Sequence, residues 1–558
     1  MTLSDTHTLY ADALAGRRNL VAWGAAGLLP LFLMQLPCAL HAIIDANAPE
    51  DDSGQIHGIP LRRAGFLAQL DPATTVIVLF AEAKQFGAQI AEQVARYGAF
   101  PIVLPYIETR DGPPQACNRS AELLARLRLN RQLREELAAS RAHRYEPVPR
   151  RALLWIGRLA KGGAERQVTL LAVALRQAGW EVDLVTVRPN APHTEGWAAQ
   201  LAEAGVERIV LPGPRDSWQE LLSDTPARLR ALSLAKWFMA KGLHAIGCTY
   251  DVLRQRRPEL VVGYMDEGSI VASVAAILAG TPAVLMSGRA HEPNTFPDVT
   301  EFPVDKPYLP TVYRALLRQA GVHLSNNSRA GADSYARWLR LPTTKVTVVH
   351  NAIEPLSHEG AAQLRARYGI AHDALLMLGV MRLEEEKDPL GFIHTFHALH
   401  RLAPRSHALL VGDGSRRGAV EQLVNQLGLR GHLTLAGAQS NPGPFYAVAD
   451  FVMISSRTEG LCNVALEGQV ADRPVFAADV GGIREALAPC LHPYLVRHGE
   501  WVRLAETIST CAASAGACAQ LGQVAGQYIR NSFSMQQLAA ETIAAACARD
   551  SSLVPHKS

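Results

Sequence analysis

Five short apolar runs in the last third of the chain, each stopping in a turn of small residues, constrain the fold more than any other feature. Ala374-Leu375-Leu376-Met377-Leu378 runs into Gly379, Ala408-Leu409-Leu410-Val411 into Gly412-Asp413-Gly414, and Leu433-Thr434-Leu435 into Ala436-Gly437. Phe451-Val452-Met453-Ile454 leads to Ser455–Gly460, and Val475-Phe476-Ala477 leads to Asp479-Val480-Gly481-Gly482. Strands that end in such turns form the crevice of an open, doubly wound α/β sheet, where backbone without side chains can approach a phosphorylated ligand closely.

The same alternation occurs twice more upstream. From Ala152-Leu153-Leu154-Trp155-Ile156 the chain passes the turn Lys161-Gly162-Gly163-Ala164-Glu165 into a helix with Val168, Leu171 and Leu175 on one face. Strands are predicted again at Val182–Val187, Arg208–Leu211 and Leu260–Tyr264, which makes a second doubly wound sheet. Near the start, Asn19–Trp23, a Gly24–Gly27 turn, a helix over Leu28–Ala39 and a strand ending near Asp45 open a smaller parallel sheet. Val76–Phe80, a helix over Ala81–Tyr97 and Pro101–Pro105 continue it. Asp45, about twenty residues beyond the turn, is placed like the ribose-binding acid of a dinucleotide site, but the glycine set is incomplete, and a Rossmann-like accessory or regulatory domain with an empty crevice is the better reading. Gly58-Ile59-Pro60-Leu61 adds a faint likeness to small nucleotide-binding-like domains attached to sugar-modifying enzymes.

The chain thus divides into residues 1–115, a linker at 116–149, modules at 150–365 and 366–530, and a tail at 531–558. The linker is a charged amphipathic helix, with Leu123, Leu127, Leu133 and Leu137 near helical spacing and Pro147 and Pro149 stopping it. Its arginines, 126, 128, 131, 134, 141 and 144, are the one local hint of contact with anionic lipid. Leu20–Ile44 is apolar enough to suggest a membrane segment, but Gln35, Pro37 and His41 interrupt it, and a buried strand, loop and helix is the better reading. In 558 residues, 48% apolar side chains supply several cores, and a net charge of +3 gives no footing for nucleic-acid binding. The eight cysteines include no Cys-x-x-Cys pair, so free thiols in a reducing compartment are expected, and no basic, apolar and small-residue triplet marks a secretory signal at the start.

Two acids define the candidate chemistry. Glu459 and Glu467 bracket Gly460 and the start of a helix just past the fourth strand of the last module. By themselves they allow a general acid and base pair as in glycoside hydrolysis. Arg382 and Lys387, following the first strand of that module, offer a guanidinium fork and a point charge for a diphosphate, or else ion pairs with Glu384, Glu385 or Glu386. Phosphate binding beside the two acids favours group transfer. Asn463 stands where it can cap the helix that carries Glu467, leaving other backbone N–H groups for phosphate. Gly162 and Gly163 permit close approach of a donor phosphate or an acceptor. Gly481 and Gly482 do the same near the nucleotide or else form a purely structural turn.

These pieces, KGGAERQVTLLAVALRQAGWEVDLVTV, VTVVHNAIEP, LGVMRLEEEKDPLGF, LLVGDGSRR, SSRTEGLCNVALEG and RPVFAADVGGIREAL, resemble in content and order the retaining GT-B glycosyltransferases of group 1 that build bacterial lipopolysaccharide, capsule and exopolysaccharide. The resemblance covers about residues 150 to 548. It implies a GT-B fold, two facing Rossmann-like domains, here preceded by a small α/β domain. It also implies a nucleotide-sugar donor, with UDP the nucleotide expected, held by the C-terminal domain, an acceptor on the N-terminal domain, and a final helix crossing back, opened by Asn531–Met535. Glu467 resembles the family glutamate on the ribose hydroxyls, and Glu459 the acid on the donor sugar.

One place departs from the family. Where many relatives end an early strand with a histidine beside the reacting carbon, Pro282–Met286 runs into Ser287-Gly288-Arg289-Ala290-His291. Arg289 takes that place and His291 follows; a carboxylated sugar or a phosphorylated acceptor would explain the arginine, as would loop packing. Asp266 and Glu267 are further acceptor-side candidates. No Asp-x-Asp pair is present, and no metal or other cofactor is expected. The partners implied are a nucleotide-sugar and a glycan or lipid-linked glycan, with peripheral contact to the cytoplasmic face of the inner membrane or to export machinery. Alternatives are a phosphorylase or hydrolase on the same architecture and a non-catalytic assembly scaffold.

Overall fold

The computed structural model of the chain describes residues 12–13, 16–24, 40–46, 48–51, 53–56, 59–79, 83–103, 145–160, 162–187, 196–211, 240–293 and 309–547. Two compact units divide it: Met1–Glu136 with Pro212–Cys248, and Leu137–Leu211 with Thr249–Ser558. The expected helix over Leu28–Ala39, the arginine-rich linker helix, Gly58 and Lys161 lie outside the described residues.

The first unit holds one sheet. Its strands are β1 (Asn19–Trp23), β2 (Ala42–Ile44), β3 (Gln55–Ile56), β4 (Ile59–Arg62), β5 (Thr75–Leu79) and β6 (Ile102–Val103), in the order β3-β4-β2-β1-β5-β6. All neighbours are parallel except the β3–β4 hairpin, which two short strands of mixed polarity did not announce. Val21, Ile44, Ile77 and Leu79 pack with Leu67, Ile90 and Val94 as its core. Asp45 follows β2, and its N–H bonds the Arg62 carbonyl at 3.0 Å.

The second unit contains two lobes. The first has seven parallel strands, β7 (Val148–Ile156), β8 (Glu181–Thr186), β9 (Glu207–Val210), β10 (Pro258–Tyr264), β11 (Ala283–Gly288), β12 (Val322–Asn326) and β13 (Val346–Val348), ordered β13-β12-β11-β10-β7-β8-β9. The second has five, β14 (Leu375–Val380), β15 (Ser406–Val411), β16 (Leu433–Gly437), β17 (Phe451–Ile454) and β18 (Val475–Ala477), ordered β16-β15-β14-β17-β18. β15 and β17 are buried along their whole length, as strands covered by helices on both faces must be. In each lobe the chain starts in the middle, builds outward one way and then the other. The loops after the two central strands therefore part to opposite faces, leaving crevices after β7 and β10 and after β14 and β17.

The chain passes between lobes twice, and the passages are tied together by the Ile353 N–H bonded to the Phe533 carbonyl at 3.0 Å. The helix Ala515–Ser532 lays Ala525 and Ile529 in the core of the second lobe, with Phe533 beside them. The helix Met535–Cys547 instead places Met535, Leu538, Ala539, Ala545 and Ala546 in the core of the first lobe, against β11, β12 and the helix Gly163–Gln177. Ser534 turns the chain between them, its hydroxyl accepting the Gln537 N–H at 3.2 Å.

A buried histidine on β15 is expected to make the fold acid-sensitive. His407 on β15 is buried, bonded to the Thr434 hydroxyl at 2.9 Å, and its pKa is pushed down to about 4 by burial and by His432, Arg365 and His400. The unfolded chain protonates this ring near 6.5, so the neutral form stabilises the fold fully above that pH. That contribution drains away as pH falls from about 6.5 towards about 4. The melting temperature is expected to drop through this window and His407→Gln to flatten the slope; an unchanged slope in calorimetric melts would count against the assignment.

Candidate active site

The crevice between β14 and β17 collects the charged residues. β14 feeds a short 3-10 turn, Glu385–Lys387, after which Asp388 adopts a left-handed φ of 46° and caps the helix Pro389–Leu402, its Oδ1 accepting the Gly391 N–H at 3.1 Å. This sharp turn aims Lys387 back over the strand ends. Its Nζ donates to Glu459 Oε1 at 2.7 Å, and the Ser456 hydroxyl donates to the same oxygen at 2.6 Å. Burial works against the Lys387 charge, but the Glu459 carboxylate more than offsets it, so its pKa lies above the ordinary value and the ammonium persists.

Glu467, one turn into the helix Asn463–Val470, is buried and accepts the Tyr446 hydroxyl at 2.6 Å. Burial, then the charge of Glu467, raise the Tyr446 pKa, which keeps the phenol a donor. The other Glu467 oxygen is held by Arg166 from the first lobe. Arg166 sits in the first turn of the helix Gly163–Gln177, an unfavourable end for a cation. That mismatch was the sequence signal for a carboxylate partner, and it was missed, as was Tyr446. A half-exposed neighbour, Glu165, has its pKa raised by burial, with Arg158 and Arg382 opposing.

Arg382 is exposed and donates to Glu386 at 2.6 Å, the local pairing that the run of acids allowed. Gly162 precedes the helix Gly163–Gln177, and at Gly163 a Cβ would stand 2.9 Å from Asn463 Nδ2. The room there is taken by Asn463. Asn463 itself corrects the sequence reading, because Cys462 occupies the N-cap position and no side chain caps this helix. As the first helical residue its amide points outward, where its Oδ1 accepts Asn351 Nδ2 at 2.7 Å and Gln167 Nε2 at 3.2 Å. It is a bridge between lobes.

Gly481, with φ of 52°, and Gly482 back onto the Glu459–Gly460 loop; the Gly482 N–H bonds the Glu459 carbonyl at 3.1 Å. They seat the acid's loop, the structural role that the sequence left open. On the opposite wall, β11 delivers Arg289 and His291. A Cβ on Gly460 would meet the Arg289 carbonyl at 2.6 Å, so the lobes touch backbone to backbone here. His291 Nε2 is buried against the Glu459–Gly481 main chain, and burial lowers its pKa despite the charge of Glu292 and the Glu459 backbone. Asp266 binds two tyrosines, its Oδ1 accepting Tyr313 at 2.6 Å and Tyr335 at 2.7 Å, and those rings pack edge-on with Trp338. Asp266 thus anchors an aromatic cluster, while Glu267 is exposed. Further along the seam Glu485 accepts the Arg329 and Ala330 N–H groups at 2.6 and 3.0 Å, capping a helix of the other lobe. Among the described residues no group of three or more His, Cys, Asp or Glu side chains could hold a metal ion.

Two matches to known families cover both lobes of this unit. Residues 162–352 match the glycosyl transferase 4-like domain and residues 361–527 match glycosyl transferases group 1. Over these residues the chain has the GT-B fold and is related to glycosyl transferases group 1, with an extra small domain in front. It is 25% identical over 380 residues to the Vi polysaccharide biosynthesis protein VipC/TviE of Salmonella typhi, covering 63% of this chain and 63% of that one. It is 28% identical over 335 residues to the 2-deoxystreptamine glucosyltransferase of Streptomyces kanamyceticus, 55% of this chain and 85% of the relative. The chain therefore spans less than two thirds of the length of the Salmonella protein. Among solved structures, that of Anabaena HepE in complex with UDP aligns with a TM-score of 0.56 at 18% identity, over 71% of this chain and 99% of HepE.

The contact at Gly460 makes a direct prediction. Gly460→Ala places a methyl group against the Arg289 backbone, which cannot move aside as a flexible side chain could, at a cost of about 1–3 kcal/mol. The variant is expected to keep its helical content yet scatter X-rays with a larger radius of gyration. Unaltered scattering would show that the lobes do not meet through this contact.

Proposed function

We propose that the chain moves a sugar from a UDP-sugar to a hydroxyl of a growing bacterial surface or exported polysaccharide, with retention at the anomeric carbon. The observation that carries this reading is the Lys387–Glu459 pair in the crevice between β14 and β17, one helix turn from the buried Glu467. A half-buried ammonium paired with Glu459, with the Glu467 carboxylate on the helix that follows, suits a ligand with a diphosphate flanked by two hydroxylated rings. In support, HepE, of the same fold, has been solved with UDP-glucose, and the Salmonella relative serves polysaccharide biosynthesis.

In this reading Glu467 takes the ribose hydroxyls, exchanging its Arg166 contact for the donor, and Glu459 takes hydroxyls of the transferred sugar. Lys387, with Arg382, stabilises the charge that grows on the diphosphate as its bond to the anomeric carbon breaks. The acceptor oxygen forms its new bond from the face that the diphosphate leaves, and its proton passes to a phosphate oxygen. No side-chain nucleophile and no metal ion is required. Among the described residues no helix is long and apolar enough to cross a membrane; we place the chain at the cytoplasmic face of the inner membrane as a peripheral protein.

Lys387→Ala is expected to lower kcat with a UDP-sugar by about 10²–10³, measured by UDP release with an oligosaccharide acceptor; turnover within twofold of wild type would remove Lys387 from the mechanism. Turnover is expected to survive excess chelator. Loss that added magnesium restores would overturn metal independence, and sugar released to water or inorganic phosphate in place of the acceptor would make the enzyme a hydrolase or phosphorylase.

A further inference from the structure

Two arginines of the first lobe at the cleft, Arg166 and Arg289, are in opposite electrostatic situations. Arg166 is matched by Glu467. Arg289 has no carboxylate partner among the described residues. Its Nη1 donates to the Ser287 hydroxyl at 3.3 Å, its Nη2 to the Asn351 side-chain carbonyl, and its guanidinium lies 4.9 Å from the centre of the Tyr264 ring. Its Nε is buried and donates to nothing. All these partners are neutral, so no protein carboxylate balances the half-buried guanidinium. Burial lowers the pKa of this group, with only Tyr264 opposing. An uncompensated cation out of water costs several kcal/mol, and such residues gather where a ligand supplies the missing charge.

The surroundings sharpen the demand. Asn351, which holds Arg289, also donates to Asn463 at 2.7 Å and to the Leu461 carbonyl at 3.2 Å, so the guanidinium is linked to the N-terminal end of the helix Asn463–Val470. That helix end is itself electropositive. The Arg289 main chain lies on Gly460, next to Glu459, and His291, two residues on, packs its ring against the same loop. This wall therefore presents a planar guanidinium and an imidazole at the end of the cleft where Glu459 and Lys387 meet. The diphosphate has its own cations in Lys387 and Arg382. A guanidinium held by Ser287 and Asn351, with its Nε left without an acceptor, suits the planar fork of a carboxylate.

We propose that Arg289 is a specificity residue that binds a carboxylate of the transferred sugar, so that the donor is a nucleoside-diphosphate uronic acid. This inference rests on the nucleotide-sugar reading above. A neutral hexose leaves the guanidinium unpaired; a uronic acid at the same place completes it.

The test is donor binding by titration calorimetry on the full chain, using UDP alone and the matched pairs UDP-glucose with UDP-glucuronate and UDP-galactose with UDP-galacturonate. Wild type is expected to bind the carboxylated member of at least one pair about 10- to 100-fold more tightly than its neutral partner, the worth of a charge-assisted hydrogen bond. Arg289→Gln should erase that preference and leave UDP affinity within about twofold, as expected for a residue that touches only the sugar. Arg289→Lys, which keeps the charge, should retain part of it. Two results overturn the proposal while the nucleotide-sugar reading stands: equal affinities within both pairs in wild type, or an Arg289→Gln loss that is as large for UDP alone, which would make Arg289 a diphosphate ligand. Failure of wild type to bind UDP or any of the four sugars would overturn that reading, and the proposal with it. Melting curves of both variants separate lost binding from lost folding.

Discussion

A single ion pair, Lys387 to Glu459, closes the gap that the strand order opens in the second lobe. Because β14 and β17 are neighbours in space but not in sequence, their following loops turn to opposite sides and leave polar backbone facing a common space. Lys387 comes from one of those loops and Glu459 from the other, and their 2.7 Å contact fixes both. Everything else in the site is arranged around this link. Gly481 and Gly482 support the Glu459 carbonyl, Gly460 lets the first lobe rest on the same loop, and Glu467 stands one helical turn farther on. The dependence is geometric: a shift of the Glu459 loop moves the acid, the seam between lobes and the entry to the Glu467 helix together.

The parts of this arrangement that were legible in the sequence are those set by local periodicity. Apolar runs ending in glycine turns place all five strands of the second lobe and the central strands of the first, because a strand buried on both faces leaves an uninterrupted apolar signature. Lys387, Glu459 and Glu467 were legible too, since each lies within a few residues of a strand end. What could not be read was which side chains meet across the seam. Asn463 illustrates the limit: its position beside a helix start suggested a cap, but capping depends on one backbone dihedral, and the extended residue is Cys462. Freed from that duty, the amide reaches Asn351 and Gln167, residues 112 and 296 positions away.

Arg166 and Tyr446 were overlooked for a related reason. The tyrosine gives no sign in its own short helix and the arginine only its unfavourable place in a first helical turn, and both acquire meaning through Glu467. Arg289 is the reverse case. Its oddity was visible as a departure from pattern, and the structure adds the physical content, a half-buried charge with neutral partners. The Asp266 carboxylate, which looked equally available, turns out to be committed to Tyr313 and Tyr335.

The return of the last helix has a consequence for how the chain is made. Met535, Leu538, Ala539, Ala545 and Ala546 complete a core whose other members begin at Ala152. Domains made on the ribosome fold in order from the N-terminus, yet this lobe lacks one of its walls until nearly the whole chain has been synthesised. Its apolar helix face, Val168, Leu171 and Leu175 included, stays without its final cover while the second lobe is built. The second lobe, whose core draws on residues 353 to 533, is complete earlier. Synthesis thus ends by fastening the older half of the protein with its newest helix, and a chain cut short before Met535 keeps the Lys387–Glu459 crevice but never a finished first lobe.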